Sequence, residues 1–159
     1  MAGKIIVRKG RLNEAETVLK LWLDLMEYHR QIAFADYEMT SDAPELWLKY
    51  YCTHVRSRTK IALVAEEDKK IIGYLLGSIQ DRPPVFKIKK EAMITDMIVA
   101  SGKRRKGIGT KLVNEFFKWT KGKKMKYAVL NVVPENLMGK KFWTHHGFTT
   151  IIQFRSKTL

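Results

Sequence analysis

The first sixty residues combine one short β-type run with two stretches of helical periodicity. The apolar and β-branched residues between Lys4 and Lys9 predict a first strand. From Leu12 to Gln31 apolar side chains recur at helical spacing, which predicts a helix with one buried face. A second helix is predicted to begin at Ser41 or Asp42, with Pro44 in its first turn, and to run to about residue 58.

The middle of the chain has the pattern of antiparallel strands. Runs from Ile61 to Glu66 and from Ile71 to Gln80 predict two strands joined across residues 67–70, and Gly73 and Gly77 indicate bulges or close backbone approaches. Residues 81–90 contain two adjacent prolines and predict a loop. The run from Ala92 to Val99 predicts a fourth strand, which we expect to be the most central one.

The last third alternates helices and strands. We predict a helix from about Ile108 that ends at Gly122, a strand from Tyr127 to Val133, a short helix, and a last strand from Phe148 to Phe154. The short helix is predicted to open at Pro134 and Asn136 and to bury Leu137, Phe142 and Trp143. This order of elements predicts one α/β domain over residues 1–159.

Composition narrows the class of protein. No apolar run approaches the roughly 20 residues that span a bilayer, so we expect no membrane segment. A single cysteine, Cys52, cannot form an internal disulfide, and the first ten residues lack a signal-peptide pattern, so we expect a cytoplasmic protein. The net charge of +14 favours anionic partners such as nucleic acid, although a lysine-rich soluble surface explains it equally well.

A basic loop with two glycines lies between Met97 and Leu112. Glycines at 107 and 109 let the backbone turn tightly, and the first amides of the following helix have no acceptor within it. Such a helix start can hold a phosphate group. Neither a Walker A motif nor a dinucleotide-binding GxGxxG motif fits the spacing, because Ile108, Lys111 and Leu112 occupy required positions.

Two motifs in this order resemble a known superfamily. Arg104, Gly107 and Gly109 supply Arg-x-x-Gly-x-Gly, and Asn136 is followed by an aromatic pair and by a Gly-Phe pair at 147–148. Together they are similar to the acetyl-CoA signature and last-helix pattern of the GCN5-related N-acetyltransferases, the GNAT superfamily. The resemblance is firm over residues 93–148 and looser over residues 61–80.

The resemblance implies a fold, a reaction and a donor site. The fold would be α/β of the α+β type, with a central mixed, mostly antiparallel sheet of six to seven strands and about four helices. The reaction would be direct transfer of an acetyl group from acetyl-CoA to a primary amine of a small molecule, polyamine or protein, without a metal. The implied donor-binding residues are the main chain of Met97, Ile98 and Val99, the amides of Arg105, Lys106, Gly107, Ile108, Gly109 and Thr110, and the side chains of Arg104, Asn136, Phe142 and Trp143.

An alkyl amine with a pKa of about 10.4 is largely protonated at neutral pH, so the site must remove a proton before attack. Asp96 is the candidate general base, and a buried structural acid is the alternative reading. Strand alternation places Asp96 and Ile98 on one face and Thr95 and Met97 on the other. A backbone N–H near Ile98 is the candidate oxyanion donor.

No general acid is identified by the motif. Trp143 stands where many members of the superfamily carry a tyrosine, and an indole is not a useful acid. Tyr127, His145 and His146 are weaker candidates for this role.

The segment from Phe34 to Trp47 contains four acids and no Lys or Arg. Helix capping explains Asp42 and Glu45, whereas Asp36 and Glu38 predict a negatively charged site for a cationic amine. The alternative function is a basic nucleic-acid-binding or acyl-CoA-sensing module, based on lysine clusters at residues 87–90, 103–106 and 121–126. A homodimer is also left open.

Overall fold

The computed structural model describes residues 3–33, 37–157 and 159. The strands are β1 (Ile5–Lys9), β2 (Lys60–Glu67), β3 (Lys70–Asp81), β4 (Lys90–Val99) and β5 (Ala128–Leu130), and the α-helices are α1 (Ala15–Ile32), α2 (Ala43–Arg56), α3 (Ile108–Gly122) and α4 (Leu137–His145). Short 3-10 turns precede α1 and follow β4. The predicted order of elements is therefore confirmed as far as α4.

The strands form one sheet in the order β1-β2-β3-β4-β5. The first three pairs are antiparallel, and β4 and β5 are parallel. The expected mixed, mostly antiparallel sheet with about four helices is confirmed. The expectation of six to seven strands is wrong for the described residues, which form five, and β3 rather than β4 is the middle strand.

The end of the chain accounts for this difference. Residues 148–154 form no strand, and Ile151, Ile152 and Phe154 are 61%, 78% and 97% exposed. The strand predicted from Tyr127 to Val133 is limited to the three residues of β5. A β-type sequence forms a strand only beside a neighbour that accepts its hydrogen bonds. Local propensity therefore predicted more strand here than the fold contains.

Helices cover both faces of the sheet. α1 and α2 pack on one face around the buried rings of Trp22, Trp47, Tyr51 and Tyr74. α3 covers the other face, where Gly77 of β3 lies so close to Phe116 that an added Cβ would meet the ring at 2.5 Å. The predicted close approach at Gly77 is thus confirmed. None of the helices within the described residues is long and apolar enough to cross a membrane.

The start of α2 matches the prediction in position. Asp42 is the residue before the helix and Pro44 lies in the first turn, but the Asp42 side chain makes no capping hydrogen bond. Cys52 packs at the edge of the core on this helix, in keeping with a structural role.

Candidate functional site

β4 carries a bulge at the position where β5 stops pairing with it. Leu76 of β3 lies opposite Asp96, and the next residue, Gly77, lies opposite Ile94, so Thr95 is an extra residue in β4. β5 pairs only with residues 92–94 of β4. Because a bulge bends and twists its strand, the two parallel strands separate there. Residues 95–99 of β4 consequently have an open edge.

The register determines which main-chain groups face this open edge. The Ala100 amide donates to the Ile72 carbonyl at 2.9 Å, and two residues earlier Ile98 lies opposite Tyr74. In an antiparallel ladder such pairs alternate, so the N–H of Ile98 is directed toward β3. The main-chain groups of Met97 and Val99 face the open edge instead. The geometry therefore replaces Ile98 with Met97 and Val99 as candidate oxyanion donors.

The side chains of β4 divide between the two faces of the sheet. Ile98 packs with α1 and α2, whereas Met97 and Val99 pack on the α3 side, as alternation predicts. The prediction for Thr95 is wrong: its hydroxyl donates to the Leu76 carbonyl at 3.3 Å and interacts with Tyr50 of α2. The bulge turns Thr95 toward the same helices that Asp96 faces.

Asp96 lies beneath α2, held by an indole. The Nε1–H of Trp47 donates to Asp96 Oδ2 at 3.1 Å. Burial raises the pKa of Asp96, and the bond from Trp47 opposes this rise because it favours the carboxylate. A carboxyl group with a raised pKa beside an open strand edge is suited to proton transfer.

Two tyrosines complete this polar cluster. The ring of Tyr74 is fully buried against Trp47, and its hydroxyl has no hydrogen-bond partner in the part of the chain that the structure describes. Burial raises the pKa of Tyr74 well above its usual value, and the charge of Asp96 raises it further. Burial also raises the pKa of Tyr50, which borders Thr95. Since a buried unpaired hydroxyl is unfavourable, the Tyr74 hydroxyl lowers the stability of this cluster.

The loop after β4 is fastened to the strand end. Arg104 Nε donates to the Val99 carbonyl at 3.0 Å, and Lys103 forms an ion pair with Glu67 of β2. Arg105 and Gly107 have φ values of 61° and 73°, in the left-handed region. This double turn leads directly into α3.

The first turn of α3 is open on its outer side. A Cβ at Gly107 would meet nothing within 4 Å, and a Cβ at Gly109 would meet the Phe142 ring at 3.1 Å. The amides of Ile108, Gly109 and Thr110 have no acceptor within the helix, because they occupy its first turn. These are the groups that the resemblance assigns to the pyrophosphate.

α4 lies beside this helix start. Phe142 and Trp143 are T-shaped with ring centroids 4.8 Å apart, and Trp143 also packs edge-on against Phe148. His146 Nε2 lies 3.3 Å from the Thr110 hydroxyl, a contact that joins the end of α4 to the start of α3. Leu137 is 67% exposed, so the prediction that it lies on the inner face is wrong.

Asn136 is the residue immediately before α4. Its Oδ1 accepts hydrogen bonds from the Gly139 amide at 2.8 Å and from the Tyr28 hydroxyl at 3.2 Å. Tyr28 belongs to the last turns of α1, 108 residues earlier in the chain. The bond therefore connects the end of α1 to the start of α4.

The weaker general-acid candidates lie elsewhere. Tyr127 packs on Arg82 at the paired end of β4, where its carbonyl accepts from the Ala92 amide. His145 is exposed and contacts the ring of His146. Burial lowers the pKa of His146, and His145 lowers it further.

Of the two residues predicted to bind the acceptor, the structure describes only one. Asp36 lies outside the described residues, and Glu38 is exposed. Nearby, His29 at the end of α1 contacts the ring of Tyr37 with centroids 4.8 Å apart. The Nδ1 of His29 is buried and has no hydrogen-bond partner among residues 3–33 and 37–157, and burial lowers the pKa of this histidine. Among the residues that the structure describes, no three or more His, Cys, Asp or Glu side chains form a group that could hold a metal ion.

Sequence reasoning missed Trp47, Tyr28 and Tyr74. Trp47 lies 49 residues before Asp96, and its position in the sequence is that of an ordinary apolar residue of an amphipathic helix. Only the tertiary contacts distinguish these residues from their neighbours, so no local motif identifies them.

Comparison with known proteins agrees with this arrangement. The model of the acetyltransferase (GNAT) family matches residues 22–148, and the chain therefore belongs to that family. An N-terminal acetyltransferase complex ARD1 subunit homolog from Dictyostelium discoideum is 35% identical over 69 residues, which are 43% of this chain. The match spans only 32% of that relative's length.

Solved structures share the fold at low sequence identity. The BH1408 protein from Bacillus halodurans is 21% identical with a TM-score of 0.85, covering 97% of this chain and 99% of its own. A predicted acetyltransferase from Clostridium acetobutylicum, solved with acetyl-CoA, has 16% identity and a TM-score of 0.80, covering 98% and 96%. The aminoglycoside N-acetyltransferase AAC(6')-Iy, solved with CoA, has 16% identity and a TM-score of 0.75, covering 99% and 98%.

Proposed function

We propose that this chain is an acetyl-CoA-dependent N-acetyltransferase that passes the acetyl group directly to a primary amine. The observation that carries the proposal is the open edge of β4. Asp96 lies on one face of this strand, and the loop of residues 100–107 leads from its end into the first turn of α3. Family membership supports the same reaction class. Two structural neighbours were solved with CoA or acetyl-CoA, which is in keeping with this donor.

The described residues fit acetyl-CoA. The main chain of Met97 and Val99 would pair with the pantetheine arm as an added strand does. The first-turn amides of α3 would hold the pyrophosphate, because the space outside Gly107 is free. Arg104, pinned to Val99, keeps the loop in place and adds positive charge. Asn136 and Phe142 would contact the arm near its sulfur.

The reaction requires a neutral amine for attack and a donor that stabilises the negative charge on the thioester oxygen. Asp96 takes the proton from the ammonium group, which frees the nitrogen lone pair to attack the thioester carbonyl. An edge N–H of Met97 or Val99 stabilises the negative charge that develops on the carbonyl oxygen. The C–S bond then breaks, CoA leaves with the electron pair on its sulfur, and the nitrogen loses its second proton to water as the amide forms. The raised pKa of Asp96 brings it closer to that of the amine than an exposed aspartate would be.

For the acceptor, we propose a cationic amine. Glu38 is exposed in a segment with four acids and no Lys or Arg, so this segment attracts a positive charge. The neighbours and the curated relative include acetyltransferases for aminoglycosides and an N-terminal acetyltransferase subunit homolog. The acceptor class is therefore a question for a substrate screen.

The screen would measure acetyl-CoA turnover with polyamines, amino acids, aminoglycosides and peptides with free N-termini, with products identified by mass spectrometry. We expect acetylated product from at least one class, and a loss of about a hundredfold or more in kcat for Asp96→Asn. The matched control is Asp24→Asn, an exposed aspartate on α1. Turnover unaffected by Asp96→Asn would show that Asp96 is not the general base. Absence of product with every acceptor class would contradict the proposed transferase activity.

The nucleic-acid alternative has less support in the structure. Lys103 is paired with Glu67, and Lys90 is paired with Asp81 at 3.1 Å, so part of the local charge is neutralised. A nucleic-acid-binding module would show affinity that falls steeply as salt increases.

We further propose that two copies associate through the C-terminal segment, residues 149–155. This segment is β-type and exposes Ile152 and Phe154, and β5 stands at the edge of the sheet. An exposed β-type run and an exposed strand edge favour pairing between chains.

A further inference from the structure

The sequence of α4 supplies no acidic hydrogen-bond donor for the sulfur of the leaving group. Trp143 occupies the tyrosine position of the superfamily pattern, and its indole packs against Phe142 and Phe148. The other candidates do not replace it, because Tyr127 lies at the paired end of β4, His145 is exposed, and the His146 ring contacts the Thr110 hydroxyl at the start of α3. A hydroxyl from another element is the remaining source of a donor.

Such a hydroxyl comes from α1. Tyr28 is half-buried, and its O–H donates to Asn136 Oδ1 at 3.2 Å. Asn136 is the residue that the proposed function places beside the sulfur. The same Oδ1 also accepts from the Gly139 amide at 2.8 Å, so it keeps a partner when the tyrosine hydroxyl turns away. The bond from Tyr28 is therefore free to change its acceptor.

We infer that Tyr28 donates a hydrogen bond to the sulfur of the acetyl donor while the C–S bond breaks. This inference rests on the proposed function. The electron pair of the C–S bond goes to sulfur, and the resulting thiolate accepts the hydrogen bond. Because a phenol is a weaker acid than a thiol, the contact is a hydrogen bond to the thiolate and no proton is transferred. The released thiolate is protonated by water.

With this assignment, one residue acts on the attacking amine and another acts on the leaving group. Asp96, on the sheet face beneath α2, acts on the amine nitrogen, and Tyr28, beside α4, acts on the leaving group. Hydrogen bonds to a charged group are stronger than neutral ones, so the bond strengthens as the thiolate forms. An interaction that is stronger in the transition state than in the bound substrate raises kcat without changing KM.

The test uses CoA itself, so it needs no acceptor. CoA labelled with an NMR isotope in the methylene beside sulfur is titrated in its complex with wild type, Tyr28→Phe and Tyr127→Phe. We expect the thiol pKa in the wild-type complex to lie about one unit below that of free CoA, and Tyr28→Phe to return it to the free value. Tyr127→Phe should behave as wild type, because that ring lies at the paired end of β4.

Kinetics give the second readout. With an active acceptor, Tyr28→Phe is expected to lower kcat about ten- to a hundredfold and to leave the KM for acetyl-CoA unchanged. A thiol pKa in the wild-type complex at or above the free value overturns the inference without any variant. An equal CoA thiol pKa in the wild-type and Tyr28→Phe complexes overturns the inference as well. If wild type still binds CoA and turns over acetyl-CoA in that case, the proposed function stands. Failure of wild type to bind CoA would overturn both.

Discussion

The indole of Trp47 donates a 3.1 Å hydrogen bond to Asp96, across 49 residues of sequence and from a helix to a strand. Trp47 is itself fixed by stacking on Trp22, with ring centroids 5.3 Å apart. The acid at the open edge of β4 is thus positioned by the core of the α1 and α2 layer. Its pKa is set by the balance between burial and this one donor.

Trp47→Phe is predicted to move the pH profile of the enzyme. Asp96 must lose its proton to act as a base, so kcat/KM rises with pH through its raised pKa. Removing the indole N–H removes a bond that favours the carboxylate, and the rising limb should shift upward by about half to one pH unit. Trp22→Phe, which alters the stack but not the bond, should leave the limb in place. A limb that stays fixed or moves downward in Trp47→Phe would contradict this role of Asp96.

Tyr74→Phe and Tyr51→Phe are predicted to change stability in opposite directions. Both rings are fully buried, but the Tyr74 hydroxyl has no partner, whereas the Tyr51 hydroxyl donates to the Arg11 carbonyl at 3.3 Å. Removing an unpaired buried hydroxyl should stabilise the fold by about 1 kcal/mol, and removing a paired one should destabilise it by about 1 kcal/mol. Urea unfolding with unchanged m-values measures both.

If both variants are destabilised equally, the Tyr74 hydroxyl has a hydrogen-bond partner in solution, which would contradict its unpaired state.

Combined substitution of Asp36→Asn and Glu38→Gln is predicted to weaken binding of polycationic acceptors. Exposed charges act weakly through solvent, so we expect KM for a polyamine to rise about two- to fivefold at low salt, and less at high salt. A monoamine should be affected less. The control pair Glu16→Gln and Asp24→Asn removes two exposed acids from α1. Equal effects of the two pairs would show a general charge effect and no acceptor site.

Ile152→Lys with Phe154→Lys is predicted to convert a dimer into a monomer in light scattering after size exclusion. Charged residues on a strand edge oppose pairing between chains. The control pair Val85→Lys and Phe86→Lys alters two other exposed apolar residues, in the β3–β4 loop, and should leave the mass unchanged. A monomeric wild type would contradict the proposed association.

The sequence predicted best where the signal is local. α3 begins and ends at the predicted residues, because a strong helical period is bounded by glycines at 107 and 122. Phe148 to Phe154 was predicted wrongly, since its propensity for strand structure contains no information on whether the segment pairs with a neighbouring strand. Leu137 has the right period for burial but lies on the exposed side of a nine-residue helix.

The site shows the same division between local and tertiary signals. Arg104, Gly107 and Gly109 are recognised from spacing, and the structure places them between the end of β4 and the first turn of α3. The bulge at Thr95 could not be read from sequence, and it decides which amides face the open edge. Contacts such as Trp47 with Asp96 depend on how distant elements pack, so they require the fold.

The most direct test of the central claim is calorimetric titration of acetyl-CoA into wild type, Gly107→Asp and Gly122→Asp. Both substitutions add one negative charge at a position where a Cβ meets nothing within 4 Å, at opposite ends of α3. The proposal predicts saturable binding to wild type, unchanged binding to Gly122→Asp, and affinity at least tenfold weaker for Gly107→Asp, because the added carboxylate repels the pyrophosphate at the helix start. Absence of binding to wild type, or equal affinity in all three proteins, would contradict an acetyl-CoA site at the open edge of β4.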